Sequence, residues 1–339
     1  MTPQSILLGI CAGAISAIVF VSATTGPVLS RFVLFLLTPF SIYLAGLGLG
    51  VLPAAIAALT ATLAILAITS SPATALVFAV SEAAPAAVLT RLALLTRGEE
   101  QSREWYPTGR LVTVAAIFGG LFAVLTLILL GADVDALTKA LREVIEKFVT
   151  TELPNIPGAP PIAANQIDEI TATTVRLLPA VMAIAVMLTS LLSLWLAGRV
   201  TLASGRLARP WPDLALLELP RGSSLAFMIA LAISFGGGIV GLMAGGFTGA
   251  FYFAFALLGL AVAHSVTRGS PWRNFTLSAI YAALFVFSAG TTLVLALMGL
   301  GESIFGYRRH VDLGPGSHSG PDSDAGAGPG AGPPPPSQS

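Results

Sequence analysis

The stretch that decides the fold is an unbroken apolar run, SSLAFMIALAISFGGGIVGLMAGGFTGAFYFAFALLGLAVAHSV, residues 223–266. A helix rises about 1.5 Å per residue and the bilayer core is about 30 Å thick. These 44 residues therefore predict two membrane-spanning helices joined by a tight turn. Because glycine accepts the backbone angles of such a turn, we place it at Gly245 and Gly246. Gly237 and Gly241 then form a helix-packing face.

The composition of the whole chain supports the same membrane setting. Of its 339 residues, 55% are hydrophobic and only 10% are charged, and the mean hydropathy is +0.86, whereas about 25% of the residues in a soluble domain are charged. We therefore predict an all-α, polytopic bundle of transmembrane helices with the lipid bilayer as its surroundings. The net charge is zero, and without a concentrated basic surface we expect no nucleic-acid partner.

Motifs of known chemistry are absent from the sequence. The single cysteine, Cys11, excludes an intramolecular disulfide and a thiol cluster for a metal. The chain contains no HExxH, no paired CxxC and no P-loop. We therefore expect no catalytic residues, no metal, no cofactor and no enzyme activity.

Apolar segments of about 20 residues predict eight or nine spans. They lie near 5–23, 30–49, 51–71, 73–95, 110–131, 176–198, 223–243, 246–266 and 274–300. The predicted organisation is N-terminal membrane helices (1–131), an external amphipathic segment (132–175), C-terminal membrane helices (176–310) and a disordered tail (311–339). Alternatively, the last apolar segment folds into two short half-helices around Gly290.

Arginine-bearing loops set the predicted orientation. The loops at 91–110 and 199–221 carry four arginines each, and basic residues near span ends stay on the cytoplasmic side. The N-terminus is then cytoplasmic and 132–175 is external. In that external segment, Val134, Leu137 and Leu141 recur at helical spacing, which predicts an amphipathic helix lying on the membrane or against the bundle.

Glu82 is the only acidic residue near the middle of a well-defined predicted span. A carboxylate there costs about 2.5–3.5 kcal/mol on insertion scales and marks a candidate functional site. Pro85 has no N–H to donate to the carbonyl of Ser81, so a carboxylate beside a free carbonyl predicts a cation or amine site. The alternative is a protonated Glu82 hydrogen-bonded to a neighbouring helix.

Two other features carry weaker predictions. Gly9, Gly13 and Ala17 form a row of small residues in the first span, which suits either internal helix packing, which we favour, or docking of a second subunit. Glu302 and Arg308 are six residues apart and not three or four, so they do not align on one helix face. We interpret these two as anchors at the membrane interface.

Several segments taken together resemble the YybS-like family of bacterial membrane proteins. They are PFSIYLAGLGLGVLPAAIAAL, EAAPAAVLTRLALLTR, LWLAGRVTLASGRLARPWPDLALLELPR and IYAALFVFSAGTTLVLALMGLGESIFGYRR. The resemblance covers about residues 5–309 and implies a bacterial cytoplasmic (inner) membrane. It also implies distant similarity to the S components of energy-coupling-factor transporters, which dock a transport partner through small residues on an early helix.

The leading functional hypothesis is transport-related binding of a small molecule inside the bundle, in the manner of an S component with other transport subunits as partners. The alternative is a non-catalytic membrane scaffold or assembly protein. An intramembrane enzyme would need two or more polar groups that converge at membrane depth, and only Glu82 qualifies in the sequence.

Overall fold

A computed structural model describes residues 3–24, 27–99, 103–155 and 162–308. It confirms an all-α membrane-type bundle, with one two-stranded antiparallel ribbon. The predicted disordered tail lies outside the described residues. The elements are α1 Pro3–Ala23, α2 Val28–Leu37, α3 Phe40–Leu49, α4 Val51–Thr69, α5 Pro72–Phe78, α6 Ala84–Ala93, β1 Thr96–Arg97, β2 Glu104–Trp105, α7 Thr108–Leu129, α8 Val134–Lys147, α9 Ala164–Ala203, α10 Ser223–Ser234, α11 Gly238–Val266, α12 Arg273–Val286 and α13 Ser288–Phe305.

Within the described ranges, eight helical segments are long and apolar enough to cross a membrane. The predicted count of eight or nine is therefore confirmed at eight. These segments are Pro3–Ala23, Leu29–Leu49, Val51–Thr69, Pro72–Ala93, Thr108–Leu129, Ala164–Ala203, Gly238–Val266 and Ser288–Phe305. The predicted span at 223–243 is instead the 12-residue helix α10, which at about 1.5 Å per residue is too short for a full crossing.

The predicted turn within the 223–266 run exists, but the predicted position is wrong. The chain turns at 235–237, and Gly237 and Gly238 take φ values of +71° and +60°. Residues other than glycine rarely adopt these backbone angles. Gly245 and Gly246 lie inside α11, where Gly246 packs against Ala123: a Cβ on Gly246 would lie 2.5 Å from the Ala123 Cβ.

This turn also corrects the predicted packing face. A Cβ on Gly237 would meet open space, so Gly237 serves the turn and not helix contact. Gly241 is buried, and a Cβ there would lie 3.3 Å from the Ser234 carbonyl oxygen at the end of α10. Only Gly241 of the predicted pair therefore lies at a close approach between helices.

Helices α7, α9 and α11 pack against one another through glycine, and α13 packs on α11 in the same way. A Cβ on Gly119 would lie 2.5 Å from the Ala183 carbonyl oxygen, and one on Gly249 would lie 2.5 Å from the Ala180 Cβ. Where α11 crosses α13, Gly259 abuts the backbone of Leu295. Small residues let the helix backbones approach closely where no side chains intervene.

The segment predicted near 274–300 is divided into two helices, as in the alternative, but α13 is an 18-residue candidate span and not a half-helix. The break falls at Phe287, which has φ −119° and ψ 47°, and not at Gly290. The Thr291 hydroxyl donates to the Ala283 carbonyl across the break, at 3.0 Å. No residue of α12 is buried, so this helix lies on the surface of the bundle while α13 enters it.

The predicted amphipathic helix is α8, and it packs against the bundle. Asp133 caps its N-terminus by accepting from the backbone N–H groups of Asp135 and Ala136. Leu137 is buried beside Leu127 and Val175. Helix α9 has 40 residues, or about 60 Å at about 1.5 Å per residue, so it extends beyond a bilayer core and α8 packs against it.

Candidate functional site

Glu82 lies in a single π-helical turn, Ala79–Ala83, between α5 and α6. The backbone N–H of Ala84 donates to the Ala79 carbonyl, five residues back. Pro85 follows directly in the first turn of α6, so the proline lies where the helix changes from π-helical to α-helical geometry. Isolated π-helical turns inside α-helices occur frequently at functional sites, and this one is in the middle of the span Pro72–Ala93.

The Glu82 side chain is fully buried and has no described partner. Its exposed fraction is 0%, and neither carboxylate oxygen accepts a hydrogen bond from any described residue. Helices α4, α7 and α9 pack around the π-helical turn. The carboxylate is therefore enclosed by neighbouring spans and does not face lipid.

A second buried polar group, the Tyr43 hydroxyl of α3, lies near Glu82, and Ser190 of α9 lies near Tyr43. Tyr43 and Ser190 are 0% and 1% exposed, yet neither hydroxyl reaches hydrogen-bonding geometry with a described residue. Three spans thus bring together a carboxylate and two hydroxyls whose hydrogen bonds are unmade, and buried polar groups in that state require an explanation such as a bound ion or water.

The chemistry of this cluster favours a positive or proton-donating guest. An isolated buried carboxylate is strongly disfavoured unless it is neutralised by a proton or paired with a cation. The hydroxyl oxygen of Tyr43 supplies a further acceptor near the carboxylate. The cluster has one carboxylate, so a guest with a single positive charge would balance it.

The sequence identified Glu82 but not its neighbours. Tyr43 lies in the apolar segment SIYLAG and Ser190 in VMLTSLLS, where single hydroxyls are ordinary helix residues. The sequence could have pointed to both residues only because each has a polar side chain inside a predicted span. Their convergence on Glu82 depends on which helices pack together.

The structure places the small-residue row against the protein's own helix α4. A Cβ on Gly9 would lie 2.9 Å from the Pro53 carbonyl oxygen, Gly13 abuts the backbone of Ala57, and Ala17 is 1% exposed. The face that bears the row is thus already covered by this chain. A second subunit cannot dock on that face without displacing α4.

Glu302 and Arg308 form an ion pair, so the interpretation of these residues as separate interface anchors is wrong. Arg308 Nε lies 3.0 Å from Glu302 Oε1, with side-chain exposures of only 13% and 6%. Helix α13 ends at Gly306 in the left-handed conformation, φ 63°, which turns the chain back. Residues six apart therefore meet although they do not share a helix face.

His264 lies near the end of α11, apart from the Glu82 cluster. Its Nε2 is 2.9 Å from the Tyr281 hydroxyl. Its carbonyl oxygen accepts from the Arg273 guanidinium at 2.9 Å. These contacts tie the surface helix α12 to α11, which is a structural role for this region.

Comparison with known proteins gives one match. The family model described as "Predicted membrane protein (DUF2232)" matches residues 14–301. This range covers most of the segment that carries the resemblance to the YybS-like family. No curated protein and no solved structure matches the chain.

Proposed function

The chain belongs to the DUF2232 family of membrane proteins, and we propose that it is a transport-related protein that binds a small cation, a proton or an amine at Glu82. The observation that carries the proposal is the buried Glu82 carboxylate, which has no hydrogen-bond partner among the described residues and lies near the Tyr43 hydroxyl. Ionisable groups buried at membrane depth typically belong to substrate paths, ion paths and proton relays. The role is one of binding, without catalysis.

The position of the cluster supports a transport-related role over a scaffold role. Glu82 lies midway along its span and on a π-helical turn, where binding and release can alter the helix geometry. A scaffold gains nothing from an unpaired buried carboxylate, because burying it costs free energy.

The bacterial cytoplasmic membrane, a cytoplasmic N-terminus and S-component-like subunit partners belong to the same proposal. The arginine-bearing loops support the orientation, and a reporter fused near Gly131 is expected to report the external side. An S-component-like protein should co-purify with an ATPase and a membrane coupling subunit. Because α4 covers Gly9 and Gly13, those subunits would have to dock on another face, and failure to co-purify would exclude this part alone.

The variant Glu82→Gln tests the binding site. Purified protein in detergent is heated in sodium, potassium or methylammonium chloride at equal ionic strength, and across pH 5–9. A guest at ten times its Kd stabilises the folded state by about 1.4 kcal/mol, which raises the unfolding midpoint. We expect the wild type to respond to one of these conditions, Glu82→Gln to lose the response, and Tyr43→Phe to weaken it because a neighbouring oxygen is removed.

The matched control is Glu104→Gln, which removes an exposed carboxylate in β2. It should respond as the wild type does. An unchanged response in Glu82→Gln would remove Glu82 from the site. A wild type that responds to none of the cations and to no pH change would overturn the proposed binding function and favour the scaffold.

A further inference from the structure

A large cavity lies at the end of the bundle where α7, α9 and α11 meet the connecting segment between α9 and α10. Its volume is about 880 Å³, within the roughly 300–1,000 Å³ of small-molecule sites. Most of its wall is apolar, with Leu188 and Leu191 of α9 and Phe253 and Leu257 of α11 among the lining residues. Glu82, Tyr43 and Ser190 do not line it, so this cavity is separate from the proposed cation site.

The charged residues of the cavity wall have a positive excess. Arg209, Arg268 and Arg273 line the cavity together with one carboxylate, Asp213. The Asp213 carboxylate is paired with Arg268, whose Nη2 lies 2.5 Å from both carboxylate oxygens. Two arginine charges in the described wall are therefore left without a carboxylate.

Arg209 is the arginine that is poorly satisfied by the protein. Its Nη1 and Nη2 make only long contacts to the carbonyls of Ala93 and Tyr106, at 3.3 and 3.5 Å. Its Nε is buried without a hydrogen-bond partner among the described residues, and none of those residues pairs with it through a carboxylate. Burial lowers the pKa of Arg209, but a guanidinium stays charged in proteins, so the site favours an anion.

The aromatic side chains of the wall place this charge at a membrane–water boundary. Trp195 and Tyr281 line the cavity and are 44% and 49% exposed. Tryptophan and tyrosine are enriched at the level of the lipid headgroups. A guest bound here would have its polar end near the headgroups and its apolar part among the leucines.

We propose that this cavity binds an anionic phospholipid, with an acyl chain in the apolar part and the phosphate at Arg209. Guanidinium groups bind phosphate through paired, charge-assisted hydrogen bonds. The positive excess disfavours a zwitterionic lipid, because the positively charged group of its headgroup would face arginine. The bilayer supplies the guest directly.

The test is lipid retention measured by native mass spectrometry. The protein is reconstituted in nanodiscs that contain equal amounts of phosphatidylglycerol and phosphatidylcholine with the same acyl chains. It is then released from the nanodiscs in the mass spectrometer, and the lipids that stay bound are identified. We expect wild type to retain phosphatidylglycerol preferentially. We expect Arg209→Gln to reduce that preference about tenfold, because the wall then has less positive charge with which to disfavour the cationic choline group. The control Arg221→Gln changes an exposed arginine outside the cavity wall and should leave the preference intact.

A second variant protects the test against misfolding of Arg209→Gln. Leu257→Trp fills the apolar part with Arg209 in place, and we expect it to lower retention of both lipids. Equal retention of the two lipids by wild type, or an unchanged preference in Arg209→Gln, would overturn the proposal. Full displacement of phosphatidylglycerol by an equal amount of oleate would overturn the phosphate assignment and identify the guest as a fatty carboxylate.

Discussion

Replacing Arg308 by alanine should destabilise the fold far more than replacing a typical surface arginine. The guanidinium donates to Glu302 Oε1 at 3.0 Å, to the Ala215 carbonyl at 2.8 Å and to the Leu217 carbonyl at 2.7 Å. Its backbone N–H also donates to Glu302 Oε2, at 3.2 Å. One side chain thus joins the end of α13 to the segment that forms a wall of the large cavity.

The magnitude follows from burial. With Arg308 and Glu302 only 13% and 6% exposed, solvent screens their interaction little. Removing one member of a buried pair leaves the other charge uncompensated and costs about 3–5 kcal/mol. By contrast, Arg142 pairs with Glu146 and Asp168 at the surface with 45% of its side chain exposed, and solvent and salt screen such exposed pairs.

The assay compares the free energy of unfolding of Arg308→Ala and Arg142→Ala in the same detergent. The double variant Arg308→Met with Glu302→Leu should recover only part of the loss, since an apolar pair avoids the uncompensated charge but the Ala215 and Leu217 carbonyls still lose their donor. Hydrogen exchange at 214–217 should rise in Arg308→Ala only. A loss below about 1 kcal/mol in Arg308→Ala, the upper value for exposed pairs, would refute the argument that this pair is buried and structural.

Two further predictions concern the turn and the cavity wall. Gly237→Ala should destabilise the protein by about 1–3 kcal/mol, because φ +71° with ψ −175° is a conformation nearly restricted to glycine. Gly245 lies in open space inside α11, so Gly245→Ala should stabilise the protein by about 0.5–1 kcal/mol. Equal effects of the two variants in thermal unfolding would contradict the turn at 235–237. The hydrogen bond from Arg268 holds the pKa of Asp213 below its usual value, so the carboxylate contributes stability above about pH 4 that is lost as the pH falls through the depressed folded value. Thermal midpoints of wild type and Asp213→Asn should therefore differ at pH 6 and converge on acidification, and a constant difference would contradict the pairing.

Part of the fold could be predicted because the signal is local. A span needs about 20 apolar residues whatever its neighbours are, and the first five described spans lie close to the predicted ranges. The helix α8 was predictable for a similar reason, because Val134, Leu137 and Leu141 recur within a few turns.

Glycine misled the prediction because one residue type serves two purposes. Gly245 and Gly246 looked like a turn, yet Gly246 allows α11 to approach Ala123. Gly237 looked like a packing residue, yet it provides the positive φ of the turn. The neighbouring helix decides between these roles, and a sequence alone does not say which helix that is.

The sequence by itself determined the membrane class, the approximate spans and the isolated position of Glu82, because the cost of placing each side chain in lipid depends on that side chain alone. The tertiary structure decided that Tyr43 and Ser190 join Glu82, that Arg308 reaches Glu302, and that Arg209 lines an apolar cavity without a carboxylate from the described chain. Each of these arrangements joins residues brought together by a chain reversal or by helix packing. Such contacts depend on which backbones approach closely, and that is a property of the assembled bundle.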